Sequence, residues 1–435
     1  MTKQRGIKIA VIGGGSSYTP ELVEGLILGY GEMPVSELWL ADIEEGGQKL
    51  ETVGNLAKRM VKKSGLPIDV HLTLDRRQAI RGADFVTTQI RVGLLAARKL
   101  DEHIPLSHGV IGQETTGPGG MFKALRTIPV ILGICRDIEE LAPDAWMLNF
   151  TNPAGMVTEA VTKYSRVKNV GLCNSPINFK KFLAEAYETP ESRVLPEFVG
   201  INHLHWMTSA LVDGKDRLPE LLEGKGEYTA KNVPTLGWDP EFLSSLGAVP
   251  TYYLKYYYMT EEMLEEEKAA LAKGGTRAEV VSRVEKELFE LYADETLEEK
   301  PKQLEQRGGA YYSEAAVQLM KSLYLGKNDI QTLNVPNGGI YDFLPRDASI
   351  EINCVVTAEG PIPLAPKRIP RQVKGLLHAV KTYESLAIEA AVTGDRGTAL
   401  QAMVHHPLVP SVSTAQALLN EMLEAHKDYL PNFLA

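Results

Sequence analysis

Only three of the 435 residues are cysteine: Cys135, Cys173 and Cys354. So odd and sparse a set makes no disulfide framework, and a reducing compartment is expected. Basic charge is also in deficit, since 46 Lys and Arg stand against 56 Asp and Glu for a net charge of −10. A phosphate backbone needs a basic face, so no nucleic-acid partner is expected, although one cleft can still be basic enough for a small anion. No run approaches the roughly 18 apolar residues that cross a bilayer. The apolar stretch after the basic start ends at Val11-Ile12, well short of a secretory signal core. Internal repeats and low-complexity segments are missing as well. These absences predict a cytoplasmic globular chain with no membrane partner, long enough for about two domains.

What is present in the first half is a run of short apolar strands alternating with helices, the pattern of a parallel sheet. Strands are predicted at 7–12, 37–43, 68–75, 84–90, 145–151, 169–173 and 197–202. The first helix is read with Thr19 as its cap and Pro20 at its first position, where a missing N–H costs nothing. After about residue 210 the composition shifts to proline and tyrosine clusters, then charged helices across 260–306, then helical segments at 366–393 and 413–428. The predicted fold class is α/β. A Rossmann-like domain of the lactate/malate dehydrogenase type is expected over 1–172. A helix-rich α/β domain should follow over 173–435, with a smaller sheet that includes strand 349–357.

Ligands of an open parallel sheet bind beyond the carboxyl ends of its strands. The first strand leads into Gly13-Gly14-Gly15-Ser16-Ser17-Tyr18. Gly13 and Gly15 match the first two glycines of a dinucleotide loop, while Tyr18 takes the third glycine position. Asp42, at the end of the second strand, suits an adenosine ribose and repels a 2′-phosphate, which favours NAD over NADP. Later strand ends are expected to bring Gln89 and Arg91, Asn149 and Asn152, Cys173 and Asn174, and Asn202 and His203 to one edge of one sheet. Singly each has an ordinary reading: Asn152 as a helix cap, Cys173 as a small buried hydrophobe, His203 as a satisfied histidine. Together, Cys173 and His203 are either two ligands of an open metal site or a nucleophile with its base.

These residues lie in blocks (VIGGGSSYTPELVEG, IRVGLLAARKLDE, HGVIGQETTGPGG, WMLNFTNPAG, GLCNSPIN, GINHLHW and VPTYYLKYYY) whose order and content resemble glycoside hydrolase family 4, nearest its 6-phospho-β-glucosidases. The resemblance spans nearly the whole chain. It implies that Cys173 and His203 hold a divalent metal, most often manganese, and that Tyr253 is the catalytic base. Glu114 then matches a carboxylate that supports the tyrosine, and Arg98, Asn152 and Arg277 match substrate contacts, with Arg277 toward the sugar phosphate. Asn174 marks a departure from the α-specific members, which carry an aspartate acid after the metal cysteine. An amide has no proton to give a leaving group, so a β-glucoside 6-phosphate is preferred.

The chemistry implied by the resemblance is a redox-assisted elimination, outside the two-carboxylate rule of most glycosidases. NAD takes hydride from carbon 3, the resulting ketone acidifies carbon 2, and Tyr253 removes that proton. The glycosidic bond then breaks, water adds and the hydride returns. The resemblance also implies a homodimer or homotetramer. Gluco or galacto configuration is left open by the residues. Two rivals remain, a 2-hydroxyacid dehydrogenase and a non-catalytic NAD sensor. The first explains neither Cys173 with His203 nor the tyrosine run, and the second predicts no turnover of any phosphosugar. His103 and His108, beside the GQET loop, are read as structural. Glycines 308–309 and 338–339 are read as loops near the site.

Overall fold

The computed structural model describes residues 6–223, 237–307 and 312–433. Its strands, in chain order, are β1 (Ile7–Ile12), β2 (Val35–Ala41), β3 (Asp69–Thr73), β4 (Phe85–Thr88), β5 (Trp146–Asn149), β6 (Lys168–Gly171), β7 (Val194–Ile201), β8 (Leu204–Val212), β9 (Lys215–Asp216), β10 (Val249–Pro250), β11 (Asp329–Pro336), β12 (Ser349–Thr357) and β13 (Gly360–Pro363). Among the described residues these form one sheet ordered β13-β12-β11-β6-β5-β4-β1-β2-β3 and a small one of β10-β8-β7, with β9 on β8. From β6 to β3 every neighbour is parallel. The remaining three strands of the large sheet run antiparallel.

Burial explains the strand order. All six residues of β1 are buried, as befits a central strand with helices on both faces. At the edge, β3 is only half-buried, and its apolar residues alternate as the sequence predicts. The small sheet packs Phe198, Met207 and Ala210 onto Phe179 and Leu183 of the helix Ser175–Ala186, which forms a second core.

Three expectations need correction. Segment 197–202 lies in β7 of the small antiparallel sheet and the turn that follows it, not at the end of the parallel one. Its partner β8 follows directly, and a tight hairpin requires antiparallel pairing. Strand 349–357 belongs to the large sheet instead of a smaller one, because nearly all of its residues are buried and it needs neighbours on both sides. The first helix runs Thr19–Gly29 with Tyr18, not Thr19, at the cap position. The Thr19 hydroxyl is instead spent inward, donating to the Gly14 carbonyl at 2.8 Å.

The predicted helical stretches are present as Thr260–Ala272, Arg277–Tyr292, Arg371–Thr393 and Val412–Ala425. Of the glycine pairs read as loops, 308–309 lie outside the described residues, while Gly338 and Gly339 sit in a turn held by Asn337, whose amide donates to three backbone carbonyls.

Candidate active site

One cleft of about 1560 Å³ runs along the carboxyl edge of the parallel strands. It is lined by Gly13, Gly15, Ser16, Ser17, Asp42, Gln89, Arg91, Arg98, Glu114, Asn152, Asn174, His203, Tyr253 and Arg277, whereas Gly14, Asn149, Cys173 and Asn202, also expected at this edge, do not line it. Gly14 packs behind the lining, where a Cβ would meet Leu40 at 2.7 Å. Cys173 is buried beneath it, 3% exposed.

At one end the chain leaves β1 in a left-handed step. Gly13 has φ +88°, and a Cβ there would lie 2.8 Å from the Gln89 carbonyl. The amide side chain of Gln89 returns to the loop, donating to Gly13 O at 3.1 Å and to Thr19 Oγ1 at 2.9 Å. Asp42 faces the loop as well as the cleft, since its Oδ2 accepts from Gly15 N–H at 2.8 Å and its Oδ1 from Ile43 N–H at 2.9 Å. A carboxylate oxygen has more than one lone pair, so both retain capacity for a ligand hydroxyl. The Ser17 hydroxyl is buried, without a partner among the described residues, and belongs to a residue of the cleft lining. A glycine cradle ahead of a helix N-terminus, with an acid on the next strand, fits a dinucleotide.

The other end is assembled from distant segments. Asn152 Oδ1 accepts from Ala154 N–H at 3.3 Å at the start of the helix Ala154–Tyr164, whose cap position is Pro153. Asn174 occupies the cap position of Ser175–Ala186. His203 forms the turn between β7 and β8, with φ +61°. Its ring lies flat on that of Tyr253, centroids 3.9 Å apart and planes 19° from parallel, a contact worth about 0.5–1.5 kcal/mol. Tyr253 sits in a short 3-10 turn, so the four-residue spacing to Tyr257 does not put both on one site. Tyr257 instead meets Thr116 Oγ1 at 2.5 Å. Arg277 starts the helix Arg277–Tyr292, whose first turn is held by a Thr276–Glu279 capping box and by Glu102 accepting from Ala278 N–H at 2.8 Å.

Between the two ends Glu114 is surrounded by cations. It pairs with Arg91, with Arg98 Nη1 at 3.0 Å and with Lys123 Nζ at 2.7 Å. Burial pushes the Glu114 carboxyl up, but the three cations outweigh it and hold it well below the usual carboxylate range. Burial and repulsion from Arg91 bring the Lys123 ammonium down to about 7 against the pull of Glu114. Lys123 is therefore the cation of this cluster most ready to release a proton near neutral pH. Arg98 also binds Glu102 at 2.7 Å. His103 and His108 pair with Glu279 and Glu421, in keeping with the structural roles read for them.

The donors fit a metal with an open coordination sphere. Burial lowers the His203 imidazole to about 4, so the ring is neutral at pH 7, and its Nδ1 is buried with no hydrogen-bond partner among the described residues. Burial and the charge of Glu351 push the Cys173 thiol up, so a thiolate there needs a nearby cation. Among the described residues no group of three or more His, Cys, Asp or Glu side chains is arranged to hold a metal. Two protein ligands leave most positions for substrate oxygens or water.

The residues that sequence reasoning missed are mostly partners: Lys123 on Glu114, Gln113 donating to Tyr256 OH at 2.8 Å, and Glu351 with His205 behind His203. Periodicity marks Lys123 and Glu351 only as polar positions in apolar elements, which is the signal that could have found them.

Comparison with known proteins agrees with this geometry. The chain is 57% identical to the "probable 6-phospho-beta-glucosidase" of Bacillus subtilis strain 168, covering 100% of this chain and 99% of that one. It superposes with a TM-score of 0.89 on the 6-phospho-beta glucosidase of Thermotoga maritima with manganese, NAD+ and glucose-6-phosphate, at 36% identity over 97% of this chain and 99% of that one. Lactate dehydrogenase of Eimeria maxima, at 14% identity and a TM-score of 0.55 over 91% and 97% of the two chains, shares the fold alone. Residues 8–189 match the family 4 glycosyl hydrolases and residues 198–409 the C-terminal domain of the same family. With both ends of the cleft inside those two matches, the chain belongs to glycosyl hydrolase family 4.

Proposed function

We propose that this chain is a 6-phospho-β-glucosidase that uses NAD and a divalent metal, most readily manganese, to cleave substrates such as cellobiose 6-phosphate or aryl β-glucoside 6-phosphates to glucose 6-phosphate and the aglycone. The observation that carries the reading is the single cleft joining the Gly13–Ser17 loop to the His203–Tyr253 stack. The names and ligands of the B. subtilis and T. maritima relatives support it. When bound, NAD supplies a transient oxidation at carbon 3 and the metal, on Cys173 and His203, a Lewis acid for the oxygens on carbons 2 and 3.

The chain's own residues do the rest. Tyr253 takes the carbon-2 proton onto its phenol oxygen, a general-base role that needs the hydroxyl and not only the ring. Gly13, Gly14, Gly15, Ser16 and Ser17 cradle the pyrophosphate, and Asp42 accepts from the ribose. Arg98, Asn152 and Asn174 orient the sugar, while Arg277 at its helix start meets the phosphate. Glu114 keeps Arg91, Arg98 and Lys123 at one place in the floor, which fixes the guanidinium of Arg98 under the sugar. Asn174 withholds a proton from the leaving group, which favours β-linked substrates over α-linked ones.

Residues 1–172 then form the nucleotide-binding domain, which also lends Arg98 and Asn152 to the sugar, and 173–435 form the metal- and substrate-binding domain. A cytoplasmic homodimer or homotetramer is the proposed working form. Support for the compartment comes from three buried free cysteines and from the absence, among the described residues, of a helix long and apolar enough to cross a membrane. The test is hydrolysis of p-nitrophenyl β-glucoside 6-phosphate with NAD and manganese omitted in turn, and in deuterated water. Turnover should need both and should place deuterium on carbon 2. Full-speed cleavage by enzyme stripped of nucleotide would overturn the reading, and net NADH formed from a hydroxyacid would favour the dehydrogenase.

A further inference from the structure

Behind the His203 turn lies a buried polar network that the proposed mechanism does not use. Glu351, near the start of β12, is 0% exposed. One of its oxygens accepts from Asn202 Nδ2 at 3.2 Å and from Asn334 Nδ2 at 3.0 Å. The other lies 2.7 Å from Nδ1 of His205, itself 0% exposed. The same carboxylate therefore grips the residue before His203 and the residue two places after it. Asn202 also lies beside the Cys173 thiol and favours its ionised form, so both candidate ligands border one network.

His203 has a left-handed backbone at φ +61°. For a non-glycine residue that conformation is strained and persists only where the surroundings over-determine it. Here the surroundings are Asn202, hydrogen-bonded to Glu351, and His205, whose Nδ1 lies 2.7 Å from the other Glu351 oxygen. A buried carboxylate is costly unless it is compensated, and here two asparagine amides donate to one oxygen while the His205 ring lies at ion-pair distance from the other. Nothing in packing alone calls for a charge at this point in a strand whose other residues are nearly all buried.

We propose that Glu351 is a positioning residue for the metal centre: it flanks the Asn202–His205 turn from both sides and so aims the His203 ring. The inference rests on the reading of Cys173 and His203 as metal ligands. Outer partners of this kind commonly change metal affinity by roughly 10- to 100-fold.

The experiment measures the manganese dissociation constant from the EPR signal of free Mn(II), with NAD and glucose 6-phosphate present, in the wild type, Glu351→Gln and Cys173→Ser. Glutamine keeps an acceptor for the two asparagines and removes the charge facing His205. Glu351→Gln should weaken manganese binding at least tenfold while the NAD dissociation constant stays within twofold of wild type, and excess manganese should restore most of its turnover. A merely structural role would weaken NAD and manganese together and would not respond to added metal. Unchanged manganese affinity in Glu351→Gln, beside a loss in Cys173→Ser, overturns this inference and leaves the metal site standing. Unchanged affinity in Cys173→Ser overturns both. Should Glu351→Gln fail to fold, His205→Gln, which cuts the contact from its other end, decides by the same criterion.

Discussion

The two ends of the cleft are built in opposite ways. The glycine-loop end is one stretch of chain, strand, turn and helix, closed by bonds to Asp42 and Gln89 at the tips of neighbouring strands. The His203 end draws on Asn174, His203, Tyr253 and Arg277 from four segments, braced by Glu351 from a fifth. Backbone geometry does the recognising at the first end, so small residues suffice there. Side-chain chemistry does it at the second, where charges and rings must be buried and each must be compensated by a partner far away in sequence.

The largest expected effect falls on the second end alone. Tyr253→Phe keeps the ring that stacks on His203 and removes the proton acceptor. It should lower kcat about a thousandfold, within the usual span for a lost general base, with NAD affinity unchanged by fluorescence titration. A variant with wild-type kcat takes the base role away from Tyr253.

A smaller effect separates the first end. Gly13→Ala adds a Cβ 2.8 Å from the Gln89 carbonyl at φ +88°. Strain of about 1–3 kcal/mol should weaken NAD binding by about tenfold, while manganese affinity holds. Equal losses of NAD and manganese affinity would mean that the two ends are not separable.

The smallest effect concerns the brace of the Glu114 loop. Glu267 accepts from Gly112 N–H at 2.9 Å, and burial raises its carboxyl to about 8. The folded chain then keeps a proton that the unfolded chain, near 4.5, has released. Stability from this site is therefore lost as pH climbs from about 4.5 to about 8. Glu267→Gln should raise Tm by a few degrees at pH 8.5 and leave it nearly unchanged at pH 5. The same Tm difference at both pH values would show that the carboxyl is already ionised in the fold.

Legibility in the sequence follows the same division. The segment IKIAVIGGGSSYTP reads correctly because the strand, the left-handed turn and the helix start are each local. Asn202 and His203 read as the parallel sheet's edge because VGIN looks like one more buried strand, and only recognising LHWMTSALV as the strand that follows at once makes the pairing antiparallel. β11 escaped notice since DIQTLNVP carries few apolar residues, its polar ones being paired across to β12, as Thr332 is to Asn353 at 2.8 Å. Lys123 was unreadable for a related reason: its meaning lies in Glu114 and the two arginines around it.

By itself the sequence determined the wound parallel sheet, the glycine cradle and, through family resemblance, which side chains matter at the far end. Tertiary structure alone decided that β12 completes the large sheet, that His203 reaches the cleft from a separate hairpin, and that Glu351 stands behind it. The reason is range. Turn and strand preferences act over a few residues, whereas a buried charge finds its compensation wherever packing delivers it, 149 residues away in the case of Asn202 and Glu351.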